Sequence, residues 1–241
     1  MQKGGLLALT NTIMNKPKQL TFPWSRANKS CFENFYVDPK NSLLLSIISN
    51  KILSDDIYIF GINDSGKTYL LQSLCNFYNK HNKTALFLPI KEVISHGVGI
   101  LDSIENSDLI CLDGLENIIA NEEWEIAIFN LINNTLNNQC RLVFSSSIES
   151  SNNIFSLPDL DSRIKKLQSY ELYPIGDANL FHALKHIANL SSINLGEREA
   201  QYLLTYSKRN ISDLVSILES LDQLSMEKKK RISIPLIKEI I

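Results

Sequence analysis

The sequence predicts an α/β protein: a parallel sheet with helices on both faces, followed by a smaller unit built of helices alone. Three observations carry this reading. Four short apolar runs, Ile57–Phe60, Thr84–Pro89, Asp108–Asp113 and Arg141–Ser145, alternate with helical segments, as the buried strands of a parallel sheet do. The run Gly61-Ile62-Asn63-Asp64-Ser65-Gly66-Lys67-Thr68 fits G-x-x-x-x-G-K-[ST] and lies between the first strand and a helical stretch, where a phosphate-binding loop belongs. From Asp177 onward the apolar spacing is helical throughout.

Residues 1–30 read as a flexible tail, with Pro17, Pro23 and scattered lysines among small polar residues. Phe32 to Val37 is aromatic and apolar, and Asn41 to Ile52 is helical behind Pro39. Tyr69 to Tyr78 follows the phosphate loop with apolar residues at helical spacing, and Trp124 to Leu136 is an amphipathic helix between the third and fourth strands. The serine-rich stretch Ser146 to Asn153 is a loop. Three further helices, Leu180–Leu190, Gly196–Tyr206 and Ile211–Leu224, have Asp177 and Ser212 as candidate N-caps. The expected division is thus a tail over 1–30, a nucleotide-binding core over 31–174 and a helical unit over 175–241.

The composition is that of a chain able to bury a sizeable core, with 44% hydrophobic and 21% charged residues. A net charge of −2 argues against broad, charge-driven binding to nucleic acid. The run Lys228-Lys229-Lys230-Arg231 is read as a solvated turn between helices in preference to a nucleic-acid patch. Cys31, Cys75, Cys111 and Cys140 lack metal-ligand spacing; Cys75 and Cys111 fall inside apolar elements and read as buried thiols in a reducing cytosol. No apolar run approaches the roughly 18 residues that cross a membrane, and Leu6 to Ile13 is too short and polar for a secretory signal.

The chemistry starts from the loop. Gly61 and Gly66 let backbone N–H groups of Asp64 and Ser65 turn onto phosphate oxygens, and the helix N-terminus adds partial positive charge. Lys67 reaches the β- and γ-phosphates, and Thr68 offers a hydroxyl to Mg²⁺. Asp113 ends an apolar strand where the acid that holds Mg²⁺, usually through water, is expected. ATPases of this kind commonly carry a second acid next, to orient the attacking water, but this chain has Gly114; Glu116 is the nearest substitute and points in another direction. The expectation is tight nucleotide binding with weak or absent hydrolysis. Ser145, Ser146 and Ser147 are candidate γ-phosphate sensors, and Arg163 is a candidate for neutralising charge at a neighbour's nucleotide. Gln19-Leu20-Thr21-Phe22-Pro23 is an extended peptide with two apolar anchors and one amide.

Together these blocks resemble the DnaA branch of the AAA+ ATPases, and within it the Hda group of DnaA regulatory inactivators, over about Met14 to Ile241. The fold then implied is a P-loop AAA+ parallel-sheet core with a small C-terminal helical lid. Phe32–Val37 is similar to the family box that helps enclose adenine, which implicates Phe35 and Tyr36. Ser107–Asp113 with Glu116 and Trp124–Phe129 is similar to the family's strand-three region. Leu157–Arg163 is similar to its arginine-finger box, and Lys230–Ile240 to its carboxyl end. The resemblance makes Gln19, Leu20, Phe22 and Pro23 a peptide for the DNA polymerase III β sliding clamp. It implies ADP or ATP with Mg²⁺ as ligands, and DnaA, the clamp and, through the clamp, DNA as partners. A homodimer is possible, and the location implied is the bacterial cytoplasm at the nucleoid. DnaA's helix-turn-helix domain does not follow the lid, and residues 1–13 read as an extension or a misassigned start. Departures are Ser212, near where a lid arginine is expected, with Arg209 the nearest replacement, and Ser147 in place of an acid. Two alternatives stay open: a self-hydrolysing ATPase that loads a helicase or remodels DNA, and a nucleic-acid module built on the basic run.

Overall fold

A computed structural model of the chain describes residues 30–49, 52–136 and 138–241. Five strands, β1 (Ile57–Phe60), β2 (Ala85–Pro89), β3 (Leu109–Asp113), β4 (Arg141–Ser146) and β5 (Gln168–Glu171), form one parallel sheet in the order β2-β3-β4-β1-β5. The helices are α1 (Ser42–Ile48), α2 (Lys67–Lys80), α3 (Ile90–Val93), α4 (Glu122–Thr135), α5 (Pro158–Lys165), α6 (Leu180–Leu190), α7 (Glu197–Tyr206), α8 (Ile211–Lys228) and α9 (Ile234–Ile237).

Alternation along the strands divides the core in two. Tyr58, Ile110, Leu112, Leu142 and Phe144 face Trp124, Ile128 and Leu131 of α4 and Leu160 and Ile164 of α5. Their neighbours Ile57, Ile59, Leu109, Cys111 and Val143 face Leu44, Leu45 and Ile48 of α1 and Leu70, Leu71, Leu74 and Tyr78 of α2. Each fully buried large side chain stabilises the fold by about 1.5–3 kcal/mol of transfer free energy, so the two layers fix the sheet between them. The fifth strand was not anticipated from sequence. Its residues Gln-Ser-Tyr-Glu lie at an edge and are largely exposed, so no apolar run marks them.

Asp108 ties the start of β3 to that of β2. Its carboxylate accepts from Lys83 Nζ and Thr84 N, both at 2.8 Å, and from Thr84 Oγ1 at 2.9 Å. These bonds, Lys83's first, hold the acid down from 3.8 to about 2. A depressed carboxylate contributes stability that is fully present above its unfolded pKa and is lost as pH falls through the folded one. Asp108→Asn should therefore flatten the acid limb of the unfolding curve between pH 3.8 and about 2, measured by urea denaturation across that window.

Residues of α6 to α9 form a hydrophobic cluster of their own, centred on Leu184, Leu203, Leu214, Leu218 and Ile237. The helix starts differ from the expected caps. Asn210, not Ser212, caps α8 by accepting from Asp213 N at 2.7 Å, because its amide oxygen reaches the free N–H while Ser212 is already helical. Asp177 stands two residues before Asn179, which occupies the N-cap of α6, and instead lies 3.9 Å from Arg209. The basic run closes α8: Lys228 is its last residue and bonds Glu239, and Lys229 takes a left-handed conformation as the chain turns toward α9.

Two buried polar side chains join the segment before α1 to the root of this helical unit. Asn41 donates from its amide nitrogen to Tyr173 O at 2.8 Å and accepts at its amide oxygen from Tyr173 N at 2.9 Å. Asp38 accepts from Lys40 N at 3.2 Å, Gly176 N at 3.3 Å and Asn179 Nδ2 at 3.0 Å, and the Asn179 bond is the first cause of its depressed pKa.

No helix among the described residues is long and apolar enough to cross a membrane. Cys75, Cys111 and Cys140 are buried free thiols, and burial pushes Cys111 well above the usual thiol range.

Candidate functional site

The loop Gly61–Thr68 leaves the carboxyl end of β1 and runs into α2, whose first residues are Lys67 and Thr68. Gly61 N donates to Ser146 O at 3.2 Å, which pins the start of the loop to β4. Asp64 is exposed in a left-handed conformation at φ 62°. Gly66 has φ 99°, where a side chain is strained, and an added Cβ would lie 3.2 Å from the ring of Phe35. The backbone is thus left free to approach a ligand. Ser65 is buried and its Oγ has no hydrogen-bond partner among the described residues.

Lys67 is buried. Its Nζ donates to Gly61 O at 2.6 Å and Ile62 O at 2.9 Å. An ammonium carries three donors, so one remains for a phosphate oxygen. Burial lowers its pKa, and the carboxylates of Glu116, Asp113 and Asp64, in that order, oppose the fall.

Asp113 closes β3 beside the loop. Thr68 Oγ1 donates to its Oδ2 at 2.6 Å, and Ser145 Oγ donates to its Oδ1. Thr68 and Asp113 therefore stand together as hard oxygen donors of the type Mg²⁺ takes. Ser145 in turn accepts from Gly114 N at 3.0 Å. The two serines expected at the head of the sensor stretch are thus inside the sheet: Ser145 is occupied by Asp113 and Gly114, and Ser146 Oγ accepts from Ile148 N at 3.1 Å. Ser147 is exposed just past β4.

Gly114 does more than lack an acid. It sits at φ 81°, where a side chain is strained, and an added Cβ would meet Asn117 Nδ2 at 2.7 Å and displace that amide, so the turn disfavours a second acid here. The turn carries the chain into Leu115–Ile118, where Glu116 presents a carboxylate oxygen, Oε2, that is buried and without a hydrogen-bond partner. Of the three carboxylates acting on Lys67, Glu116 acts most strongly. Sequence spacing placed Glu116 nearby but could not show that a left-handed turn would bring its charge to bear on the lysine.

Phe35 packs against the ring of Tyr69 in α2 with centroids 5.8 Å apart and borders Gly66. Tyr36 meets His186 of α6 edge-on at 6.0 Å. The aromatic pair thus touches the phosphate loop on one side and the C-terminal helices on the other. Arg209 is exposed, with Asp177 its nearest acid.

Arg163 lies in the last turn of α5, half-buried, and its guanidinium has no hydrogen bond or ion pair among the described residues. The helix that carries it is braced from α4. Glu125, fully buried, accepts from Ala120 N at 3.0 Å, Ser156 N at 3.2 Å and Leu157 N at 2.7 Å. Its charge stands at the N-terminus of α5, where the helix dipole favours it. Asp161 adds a second tie, accepting from Ile154 N at 3.0 Å and pairing with Lys165 at 2.7 Å. Sequence reasoning did not single out Glu125; an acid amid the apolar residues of a helix was its one signal. Gln19, Leu20, Phe22 and Pro23 lie outside the described residues.

Comparison with known proteins bears on this arrangement. The sequence family of the Hda lid domain matches residues 177–241. An uncharacterized protein of Haemophilus influenzae is 32% identical over 228 residues, which is 93% of this chain and 98% of the relative. The chain belongs to the Hda/DnaA-related AAA+ family. Among solved structures, domain III of the Thermotoga maritima replication initiation protein DnaA aligns with a TM-score of 0.73 at 18% identity, over 87% of this chain and 94% of that one. AMPPCP-bound DnaA from Aquifex aeolicus aligns with a TM-score of 0.65 at 20% identity, over 84% and 69%. At these identities the likeness is one of fold. It places the five-stranded parallel sheet and its C-terminal helices among AAA+ proteins, as the sequence led one to expect.

Proposed function

We propose that this family member is a nucleotide-bound regulator of replication initiation that, with the DNA-loaded β sliding clamp, stimulates hydrolysis of ATP bound to DnaA. The observation that carries the reading is Arg163, a guanidinium without a partner among the described residues, on a helix whose first turn is anchored by the buried Glu125. A side chain held this way is suited to stabilise developing phosphoryl charge in a neighbouring subunit. The Hda lid match supports the choice of DnaA as that neighbour.

In this reading ADP or ATP supplies a polyphosphate with its Mg²⁺. Lys67 donates its remaining N–H to a phosphate oxygen, the backbone of Asp64 and Gly66 supplies N–H donors, the N–H of Ser65 joins them on leaving Ile62 O at 3.3 Å, and Ser65 offers its unpaired hydroxyl. Thr68 and Asp113 would hold the metal. Phe35 and Tyr36 wall the base between core and lid. The clamp is engaged through Gln19, Leu20, Phe22 and Pro23.

The test is DnaA ATP turnover with and without this protein and DNA-loaded clamp. Stimulation is expected only with all components present. Arg163→Ala should abolish it while leaving nucleotide and clamp binding intact, and Gln19→Ala with Leu20→Ala should abolish clamp binding. Undiminished stimulation by the Arg163 variant would rule out the proposed role of that residue.

Glu116 favours a second reading, hydrolysis by this chain itself, because its buried carboxylate oxygen is unpaired and its charge acts on Lys67. Turnover by the isolated protein that drops about 10²-fold on Glu116→Gln, the range of a lost general base, would select it. Absence of turnover selects the regulator.

A further inference from the structure

The basic run at the end of α8 lines a groove that the nucleotide site does not use. The groove has a volume of ≈ 310 Å³ and is walled by Ser192 and Asn194 from the turn between α6 and α7, Ser225 from α8, and Lys229, Lys230 and Arg231 from the turn beyond it. Its acid is Asp222, so three cations stand against one carboxylate. Helix ends attract basic residues because they offset the negative end of the dipole. Here Lys228, in the last turn, fills that place and is already paired with Glu239.

Lys229, Lys230 and Arg231 lie past the helix, are exposed, and have no ion pair among the described residues. The backbone N–H groups of Lys229 and Lys230 close the helix on Met226 O and Ser225 O, at 3.2 and 3.0 Å, so the turn is fixed although its side chains are free. Cations flanked by hydroxyls and an amide are the side chains that contact nucleic-acid phosphates. Met226, 68% exposed on the same wall, gives the groove an apolar rim. On a chain of net charge −2, a fixed turn of unpaired cations is a local electropositive site and not part of a general basic surface.

We infer that this lid groove binds the phosphate backbone of duplex DNA, so that the protein touches DNA directly as well as through a clamp. The choice of DNA over an acidic protein surface rests on the regulator reading above, which puts the chain beside DNA. The mixed donor set supports the same choice.

The test uses the full chain and a labelled DNA duplex, with neither clamp nor DnaA, so that its failure leaves the regulator reading standing. Duplex affinity is measured by fluorescence anisotropy between about 50 and 200 mM salt. Lys230→Glu combined with Arg231→Glu should weaken binding at least about tenfold and reduce the salt slope by about two. Lys91→Glu, at an exposed site on α3 of the core, should change it less than about twofold, and all three proteins should melt alike. Equal losses in the lid and core variants, or no duplex binding by the parent protein at the lowest salt, would overturn the inference. Displacement of the duplex by equimolar polyglutamate would also overturn it, in favour of an acidic protein partner.

Discussion

Glu125→Ala is expected to cost about 3–4 kcal/mol of folding stability, because it strands three backbone N–H groups that its carboxylate now satisfies. The side chain is fully buried, and among the described residues those of Ala120, Ser156 and Leu157 have no other acceptor in place. For a chain of this size each kcal/mol lowers the melting temperature by about 2–4 °C, so a fall of roughly 10 °C is expected by calorimetry. Glu125→Gln keeps one acceptor oxygen and should fall about midway. The same change should act on function, since Leu157 N is the N-cap donor of the helix that bears Arg163. Stimulation of DnaA hydrolysis by the Gln variant should decline at a temperature where it remains folded. A Gln variant as stable and as active as the parent would show that the brace is not what holds α5.

The second large effect is at Lys67. Lys67→Ala should weaken nucleotide affinity at least about 100-fold, or about 2.7 kcal/mol, the scale of a lost charge-assisted contact to phosphate. The fold should persist. Lys67 Nζ now bonds the carbonyl oxygens of Gly61 and Ile62; Ile62 is exposed, so water can replace the lysine at its carbonyl, and the loss of the buried bond to Gly61 O is small beside the two-layered core. Isothermal titration with ADP and with ATP measures the loss, and thermal melting checks the fold. Lys67→Arg should not rescue binding, because the planar guanidinium does not fit between two carbonyls spaced for a point charge. Full affinity in the alanine variant would remove the loop from the binding site.

Much of the core was legible because its signals are contiguous. Ile57–Phe60 and Leu109–Leu112 are unbroken apolar runs buried on both faces, and the phosphate loop is a single run of residues between a strand and a helix. The strand order was not legible, and β5 was missed, since an edge strand reading Gln-Ser-Tyr-Glu has neither apolar run nor alternation. The grouping of the candidate site residues was legible in the same measure. Lys67, Thr68 and Asp113 follow from spacing, and the structure brings Thr68 and Asp113 into contact across 45 positions. What escaped was polar contact over long separations. Asn41 meets Tyr173 across 132 positions and Asp38 meets Asn179 across 141, and one chain read alone contains no trace of either pair. The turn at Gly114 belongs here too: a glycine in place of an acid reads as loss, whereas its left-handed backbone redirects Glu116.

The Asp38 and Asn41 contacts carry a mechanical consequence. Phe35, which borders the phosphate loop, and Tyr36, which touches His186, precede these anchors by only a few residues. The wall of the proposed nucleotide site and the root of the C-terminal helices are therefore made from one short length of chain, tied down at Tyr173, Gly176 and Asn179. Such a joint has little slack. A rotation of the helices must drag on the ring beside Gly66, and a shift of that ring must be felt at the hinge, so the occupancy of the loop and the attitude of the lid become one mechanical variable.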